Sequence, residues 1–384
     1  MENQEKKILI CGDFCPHDRL GKGGVTKYNP LMEVSKFAQD ADLAIVNLEC
    51  PILTNKVKTT PILKQGPNLY GEEDAIVYLK ECGYDVVTLA NNHMMDFGDE
   101  GFVQTITALD EIGLKHVGAG PNLESACKTF FIKCLDVTIS VINCCEHEFS
   151  IASSETPGCN PLDPIKQFYA IKEAKRLSDA VIVIVHGGVE HFQYPTQRMV
   201  NTYRFFIDAG ADAVINHHQH CVCGCEVYKE KPVYYGLGNF CFDWKGRHDS
   251  IWNTGYMVML SLNKSGIISS KIIPYRQCDA KPTVKCLTGN DLDNFKSMVA
   301  DLSNAINNSD ILEKKLADFN RENDSLYRKM FSPYTGRIMN GLFYRGLLPS
   351  FMNKERILAI NDFLICESHY ERVKDYLLKE YNNI

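Results

Sequence analysis

Short runs of apolar, often β-branched residues recur through the first two-thirds of the chain and predict buried strands. Between them lie longer segments whose apolar residues are three or four positions apart, the spacing of an amphipathic helix. The apolar runs are 8–11, 43–46, 86–89, 139–142 and 181–185, and the helical segments are 75–81, 102–112, 165–177 and 198–209. Strands that alternate with helices are typical of a layered α/β architecture.

The pattern changes after Val214. Strand-like stretches at 226–228, 233–235, 256–262 and 267–273 are separated by short turn segments, which predicts antiparallel hairpins. From about Lys285 the chain is richer in Asn, Asp, Lys and Leu and shows long helical patterns. We therefore expect one large domain over residues 1–284 and a helical C-terminal region over residues 285–384.

The composition and net charge limit the kinds of partner that the chain is expected to bind. The 384 residues are 45% hydrophobic and carry a net charge of −7 at pH 7. This acidic balance gives no electrostatic reason to expect binding to nucleic acid or to an anionic membrane. No segment reaches the roughly 18 to 20 apolar residues of a membrane span, and the run at 8–11 is too short for a signal-peptide core. The expected location is the cytoplasm.

Sixteen cysteines are scattered along the chain, several of them inside apolar runs, and we interpret them as reduced, mostly buried thiols. Cys221, Cys223 and Cys225 alternate, which would place their side chains on one face of a strand. A zinc site at this cluster is disfavoured because the usual C-x2-C pairs are missing.

Polar residues that bind metals or exchange protons follow five of the strand-like stretches. Ligands bind at the carboxyl ends of strands in open α/β sheets, so these residues are expected to meet at one edge. They are Asp13, then Asn47 and Glu49, then Asn91, Asn92, His93 and Asp96, then His186 and Glu190, and finally His217, His218 and His220 after 213–216. Carboxylate, amide and imidazole groups together suit Mn, Zn, Fe or Ni better than Mg or Ca. The pattern predicts two divalent metal ions, which would activate a bound water.

Several segments in order resemble the bacterial capsule synthesis (CapA, poly-γ-glutamate synthesis) family over roughly residues 7–275. They are GD at 12–13, ADLAIVNLECPI at 41–52, TLANNHMMDFG at 88–98, VHGGVE at 185–190 and ADAVINHHQHCVCGCEVYKEKPVYYGLGNFCFD at 211–243. That family is similar to the calcineurin-like metallophosphoesterases. The resemblance implies a four-layer αββα sandwich with a C-terminal helical extension, and a metal-dependent phosphoesterase linked to capsule or cell-envelope polymers. Its substrate would be an anionic small molecule or polymer.

The same resemblance implies roles for individual residues. Carried over by motif, the metal ligands are Asp13, Glu49 as the bridge, Asn92, His186, His218 and His220. His93 would be the general acid that protonates the leaving oxygen, with Asp96 orienting it. Candidate substrate-binding residues are Asn47, Asn91, Glu190 and Asn239. His217 would point away from its neighbours and is interpreted as a packing or pocket residue.

Some positions depart from the family pattern. Gly187, Gln219 and Gly236 stand where Trp, Pro and Ser are common, and these changes bear on the substrate rather than on the metals. Cys15 stands where the His of the usual DxH opening would fall, so Cys15 or Asn47 is an alternative ligand.

Basic residues near the first strands leave a further choice open. Arg19, Lys22 and Lys64 are candidates to meet an anionic substrate, or they are side chains of solvated loops. Two other functions also stay open: a non-hydrolytic accessory role in capsule polysaccharide or poly-γ-glutamate biosynthesis, and a metal-assisted anion-binding module.

Overall fold

A computed structural model describes residues 5–16, 18–20, 29–54, 59–64, 66–323, 334, 336–365, 369, 373 and 377. The chain divides into two compact units, residues 1–316 and 317–384. The units separate later than the boundary expected after residue 284, because the helix from Gly289 to Ile306 buries Phe295, Val299 and Leu302 in the core of the first unit.

Sixteen strands are described in the first unit. They are β1 (Lys6–Cys15), β2 (Leu43–Leu48), β3 (Val86–Thr88), β4 (Lys115–Val117), β5 (Ala119–Gly120), β6 (Phe130–Cys134), β7 (Val137–Cys145), β8 (Gly158–Cys159), β9 (Ala180–His186), β10 (Ala213–His217), β11 (Cys225–Tyr228), β12 (Lys231–Tyr234), β13 (Asn239–Phe242), β14 (Thr254–Asn263), β15 (Gly266–Gln277) and β16 (Val284–Cys286).

The strands form two large sheets and one small pair. The first sheet has the order β16-β15-β14-β1-β2-β3-β4, with β13 also paired to β1. The second has the order β11-β12-β10-β9-β7-β6, and β5 pairs with β8. The strands β1 to β4 run parallel, as do β7, β9 and β10. The later pairs β11/β12 and β14/β15 are antiparallel hairpins, as the turn pattern predicts.

The described helices include all four segments predicted before residue 214, together with short helices that the pattern did not predict. They are α1 (Ser35–Gln39), α2 (Glu73–Glu81), α3 (Gly98–Ile112), α4 (Leu123–Ala126), α5 (Pro164–Leu177), α6 (Gln197–Ala209), α7 (Gly289–Ile306), α8 (Ser309–Glu322), α9 (Arg337–Tyr344) and α10 (Lys354–Ile365). Local chemistry sets two of the starts: Asp163 caps α5 ahead of a proline, and Thr196 caps α6. Among the described helices, none is both long enough and apolar enough to cross a membrane.

Alternating side chains along the strands create the layers. In β1, Ile8 and Ile10 join the cluster between the two sheets, while Leu9 and Cys11 join the cluster that α2 and α3 cover. On the second sheet, the face carrying Val183 packs against α5 and α6. Three apolar interfaces therefore separate four layers, and the expected αββα sandwich is confirmed.

The cysteines within the described residues are all free thiols, and most are buried. The expectation that Cys221, Cys223 and Cys225 share one strand face is wrong, because β11 begins only at Cys225. The two preceding histidines, His218 and His220, have positive φ angles of 93° and 53°, which turn the chain before it becomes extended.

Candidate metal centre

The strand register brings the candidate ligands to one edge. Asp13 near the end of β1 is paired with Asn47 of β2 on one side and with Asn239 of β13 on the other. In the second sheet, His186 at the end of β9 is paired with His217 at the end of β10. Both sheets therefore deliver polar side chains at their carboxyl ends, as open α/β sheets commonly do.

Asp13 is fixed from both sheets. Its Oδ1 accepts a hydrogen bond from Asn47 Nδ2 at 2.7 Å, and its Oδ2 accepts one from the His218 backbone N–H at 3.2 Å. The ring atom His186 Nδ1 lies 3.8 Å from Oδ1, and His220 Nδ1 lies 3.8 Å from Oδ2. One carboxylate at the end of a strand of the first sheet thus faces two imidazoles that come from the second sheet.

Glu49 is fully buried, and neither of its carboxylate oxygens has a hydrogen-bond partner in the described part of the chain. Its Oε1 lies 3.5 Å from His186 Nε2 and 3.7 Å from His220 Nε2. Burial, together with the nearby charge of Asp13, raises the pKa of Glu49 well above its ordinary value. A buried carboxylate without donors is expensive on its own, so this position fits a residue that binds cations.

The donor atoms form overlapping groups of metal-binding geometry. Glu49, His186 and His218 offer atoms that all lie within 4.8 Å of one another, and so do Asp13, Glu49 and His220. Glu49 belongs to both groups, which is the position a bridging carboxylate would take between two ions. A third group joins Asp13 and His186 with His217, for which the sequence predicts a packing or pocket role.

Burial favours the neutral form of three imidazoles at the centre. Burial lowers the pKa of His186 and of His220 well below the ordinary value, and lowers that of His217 to about 3. Burial also raises the pKa of Asp13 to about 6, against hydrogen bonds from Asn47 and His218 that lower it. Neutral imidazole is the form that coordinates a metal.

Asn92, which follows β3, faces both ring and carboxylate neighbours. Its Oδ1 lies 3.0 Å from His186 Nε2, and its Nδ2 donates to Glu148 Oε2 at 3.2 Å. Glu148 Oε1 in turn lies 3.7 Å from His218 Nε2. The sequence pattern did not single out Glu148, although Glu148 lies a few residues after the strand-like run 139–142.

His93 and Asp96 form a buried pair beside the cluster. The distance from His93 Nδ1 to Asp96 Oδ2 is 2.7 Å, and the Leu69 backbone N–H also donates to Asp96 Oδ2, at 2.6 Å. Lys64 is almost completely buried, forms an ion pair with Asp96, and places its Nζ 3.1 Å from His93 Nδ1. Lys64 is therefore part of this pair's surroundings and is not a side chain of a solvated loop.

Three of the four candidate substrate-binding residues are engaged in holding the cluster together. Asn47 binds Asp13, Asn91 Nδ2 donates to the Leu48 carbonyl at 2.8 Å, and Asn239 Oδ1 lies 2.9 Å from His220 Nδ1. Glu190 is the exception, since it is exposed and lines a cavity next to the cluster. Substrate binding by these four residues stays a prediction.

Of the two basic residues of the first loop, the structure describes Arg19. Arg19 donates to both oxygens of Asp243, at 2.8 and 2.7 Å, and to the backbone carbonyls of 278–280. Its guanidinium therefore joins two loops. Lys22 lies outside the described residues.

Two of the positions that depart from the family pattern, Gln219 and Gly236, lie next to each other in the structure. A Cβ added to Gly236 would lie 2.8 Å from Gln219 Oε1 and 2.8 Å from Cys223 Sγ. Gln219 itself accepts a hydrogen bond from Asn216 and donates one to the Phe192 carbonyl. The larger side chain at 219 therefore occupies the space that a side chain at 236 would need.

Two facing sheets that join carboxylates and imidazoles at one edge define an αββα protein with a candidate metal site. Residues 7–244 match the family described as "Bacterial capsule synthesis protein PGA_cap", and the chain belongs to that family, which confirms the resemblance. It is 29% identical to the capsule biosynthesis protein CapA of Bacillus anthracis over 79% of this chain and 75% of that protein.

Two further relatives carry related names. The PGA biosynthesis protein CapA of Bacillus subtilis is 33% identical over 56% of this chain and 57% of that protein. A probable polyglutamine synthesis accessory protein of Mycobacterium tuberculosis is 28% identical over 61% of this chain and 66% of that protein. This chain therefore spans less than two-thirds of the length of these two relatives.

Solved structures with a similar course of the chain have low sequence identity. A hypothetical protein from Thermus thermophilus aligns with a TM-score of 0.47 and 15% identity, covering 70% of this chain and 99% of that chain. A putative 5'-nucleotidase from Staphylococcus aureus aligns with a TM-score of 0.45 and 15% identity, covering 78% of this chain and 58% of that chain.

Proposed function

We propose that the chain is a metal-dependent hydrolase that cleaves a phosphoester at a two-metal site. The ligands are Asp13, Glu49, Asn92, His186, His218 and His220, with Glu49 as the bridge. The observation that carries the proposal is Glu49 itself, which is buried without a hydrogen bond and lies within 3.7 Å of two imidazoles from the other sheet. Divalent metal ions bound to Glu49 would supply the positive charge that compensates its buried carboxylate.

The chain's own residues supply the remaining chemistry. Divalent metals at this site would lower the pKa of a bound water and draw charge from the phosphoryl oxygens. His93, held by Asp96 at 2.7 Å, protonates the leaving oxygen as general acid. Asn47 and Asn239 keep Asp13 and His220 in place through their side-chain amides. Burial of the whole cluster excludes bulk water from the reacting groups.

The family supports a substrate from the cell envelope. Relatives are named for capsule and PGA biosynthesis, and a phosphorylated precursor of such a polymer, small or polymeric, would be an anionic substrate. The second candidate function is a non-hydrolytic accessory role in the same biosynthesis. The name of the Mycobacterium tuberculosis relative, an accessory protein, favours it.

Metal content and turnover separate the two candidates. The chain is purified without chelator and its metals are measured, and hydrolysis of p-nitrophenyl phosphate and bis-p-nitrophenyl phosphate is then followed with Mn, Ni, Zn and Mg. The hydrolase predicts about two ions per chain and metal-dependent release of p-nitrophenol. A folded chain that holds no metal and hydrolyses neither ester with any ion contradicts it and favours the accessory role.

Two variants test the ligand assignment directly. Glu49→Ala and His218→Ala are expected to lose turnover and bound metal while the chain remains folded. Glu111→Ala, which removes an exposed carboxylate at the end of α3, is the matched control and should retain both. Retained turnover in either ligand variant would refute the assignment.

A further inference from the structure

A cavity of about 190 Å³ lies next to the metal centre. His93 and His220 form part of its lining, so the cavity is continuous with the proposed catalytic residues. The remaining wall is mainly aromatic, with Phe242, Trp244 and Trp252. Pockets lined by aromatic side chains with a few polar groups are typical of small-molecule sites.

The aromatic wall is held in place by hydrogen bonds. Trp252 Nε1 donates to the Phe242 carbonyl at 2.8 Å, and the Trp252 ring lies 4.7 Å from the His220 ring, centroid to centroid. Asn253 Nδ2 donates to the carbonyls of Arg247 at 2.9 Å and Gln277 at 3.2 Å. The loop that carries the wall is therefore fixed before any ligand arrives, which lowers the entropy lost on binding.

Arg247 supplies a cation to this cavity. Its guanidinium carbon lies 5.4 Å from the centroid of the Trp252 ring, and its Nη2 lies 3.4 Å from His191 Nε2. Other arginines, such as Arg19 and Arg204, bind carboxylates, whereas Arg247 has no carboxylate within ion-pair distance in the part of the chain that the structure describes. A guanidinium stacked on an aromatic ring is well suited to a carboxylate or a phosphate.

The volume of the cavity suits one ring of a ligand. A cavity of about 150 Å³ is known to hold benzene. The volume of about 190 Å³ therefore fits a single six-membered ring with a substituent. Glu190 also lines this cavity, and its carboxylate can accept hydrogen bonds from ring hydroxyls.

We propose that this cavity binds the ring of the leaving group and that Arg247 pairs with an anionic substituent on that ring. The substrate class is then a phosphoester of an aryl or sugar alcohol that carries a second negative charge. This proposal rests on the proposed hydrolase function, because His93 at the shared wall is the group that protonates the leaving oxygen. The aromatic side chains contact the ring, and Arg247 favours ligands whose ring carries a negative charge.

The chain contains its own reporter for this test. It has two tryptophans, Trp244 and Trp252, and both line the cavity. The full-length, Mn-loaded chain is titrated with phenylphosphonate, 4-carboxyphenylphosphonate and ethylphosphonate while tryptophan emission is recorded. These phosphonates are not hydrolysed, so the readout does not depend on turnover. Both ring ligands are expected to change the emission, and ethylphosphonate is expected to bind more weakly without that change.

The charge selection has a matched pair of variants. The carboxylated ring should bind about tenfold more tightly than the plain ring, as expected for a hydrogen bond to a charged group. In Arg247→Met the ratio of the two dissociation constants should fall close to one. Lys245→Met removes an exposed cation from the same loop, outside the cavity lining, and should retain the ratio.

The outcomes separate this proposal from the hydrolase. Equal affinity for the ethyl and phenyl ligands, no binding of any ligand, or an unchanged ratio in Arg247→Met overturns the ring pocket. The hydrolase fails by a different result: the ring ligands bind as expected, but the metal-loaded chain does not cleave phenyl phosphate or 4-carboxyphenyl phosphate. If the chain cleaves both phosphate esters but binds the ring ligands no better than ethylphosphonate, the hydrolase function stands and the ring pocket is refuted.

Discussion

Replacing Glu49 by Met should make the metal-free protein more stable and the metal-loaded protein less stable. Glu49 is completely buried, and its two carboxylate oxygens have no hydrogen-bond partner among the described residues. A buried polar group without a partner costs about 1–3 kcal/mol, and more when it is charged. Met is of similar length and needs no hydrogen bonds, so it removes this penalty.

The magnitude follows from the burial and from the metal. Without metal, Glu49→Met should gain about 1–3 kcal/mol, and each kcal/mol moves Tm by about 1.5 °C in a unit that spans residues 1–316. With metal at about 1,000 times Kd, the wild type should gain about 4 kcal/mol from binding. The variant lacks the bridging ligand and should gain much less. The order of the two melting temperatures therefore reverses when metal is added.

Thermal unfolding in EDTA and in excess Mn²⁺ measures this reversal. Glu226→Met is the control, because Glu226 is a largely buried carboxylate that accepts hydrogen bonds from Arg204 at 2.9 and 2.6 Å and from Tyr235 at 2.7 Å. Glu226→Met should therefore lower Tm in both buffers. If Glu49→Met lowers Tm in EDTA as Glu226→Met does, the carboxylate of Glu49 is already stabilised without metal and the reasoning is refuted.

Three further predictions concern the neighbourhood of the centre. His93→Asn should lower kcat by about 10²–10⁴-fold while elemental analysis still finds the metals, since His93 is assigned as the acid and not as a ligand. Lys64→Met leaves buried Asp96 without its ion pair and should lower Tm, whereas Lys64→Arg should recover part of the loss. Gly118→Ala should destabilise the chain by about 2 kcal/mol or more in urea denaturation, because its φ is +96° and the new Cβ would lie 1.9 Å from Asn143 Oδ1.

The local pattern of the sequence predicts strand ends well because burial and chemistry change there abruptly. Val181–Val185 is fully buried, and His186 directly after it is a candidate ligand, so an apolar run followed by a polar residue marks the edge of the sheet. The structure also brings His218 and His220, which follow the next such run, into the same cluster. Local sequence is sufficient there because the side chain and the strand end are neighbours in the chain.

Residues that depend on distant partners are harder to predict. Lys64 and Arg19 have the same local signature of a cation in a polar loop, yet one contacts His93 and the other binds Asp243, which is 224 positions away. His217 lies beside Asp13 and His186 in the same cluster as His218 and His220, since the chain turns at His218 and two-residue alternation no longer applies beyond that point. Tertiary contacts, which no local pattern contains, decide these cases.

The pairing of β1 with β13 determines when the centre can form. Asp13 is aligned with Asn239, and Gly12 packs so closely on Gly238 that a Cβ there would lie 2.0 Å from the Gly238 carbonyl oxygen. During synthesis, the first strand leaves the ribosome long before β13 and the adjacent strand β14 exist. A nascent chain that ends before residue 239 therefore lacks the segment that holds His220. Under the proposed function, a metal ion would therefore be held by the full set of ligands only after β13 has joined the first sheet.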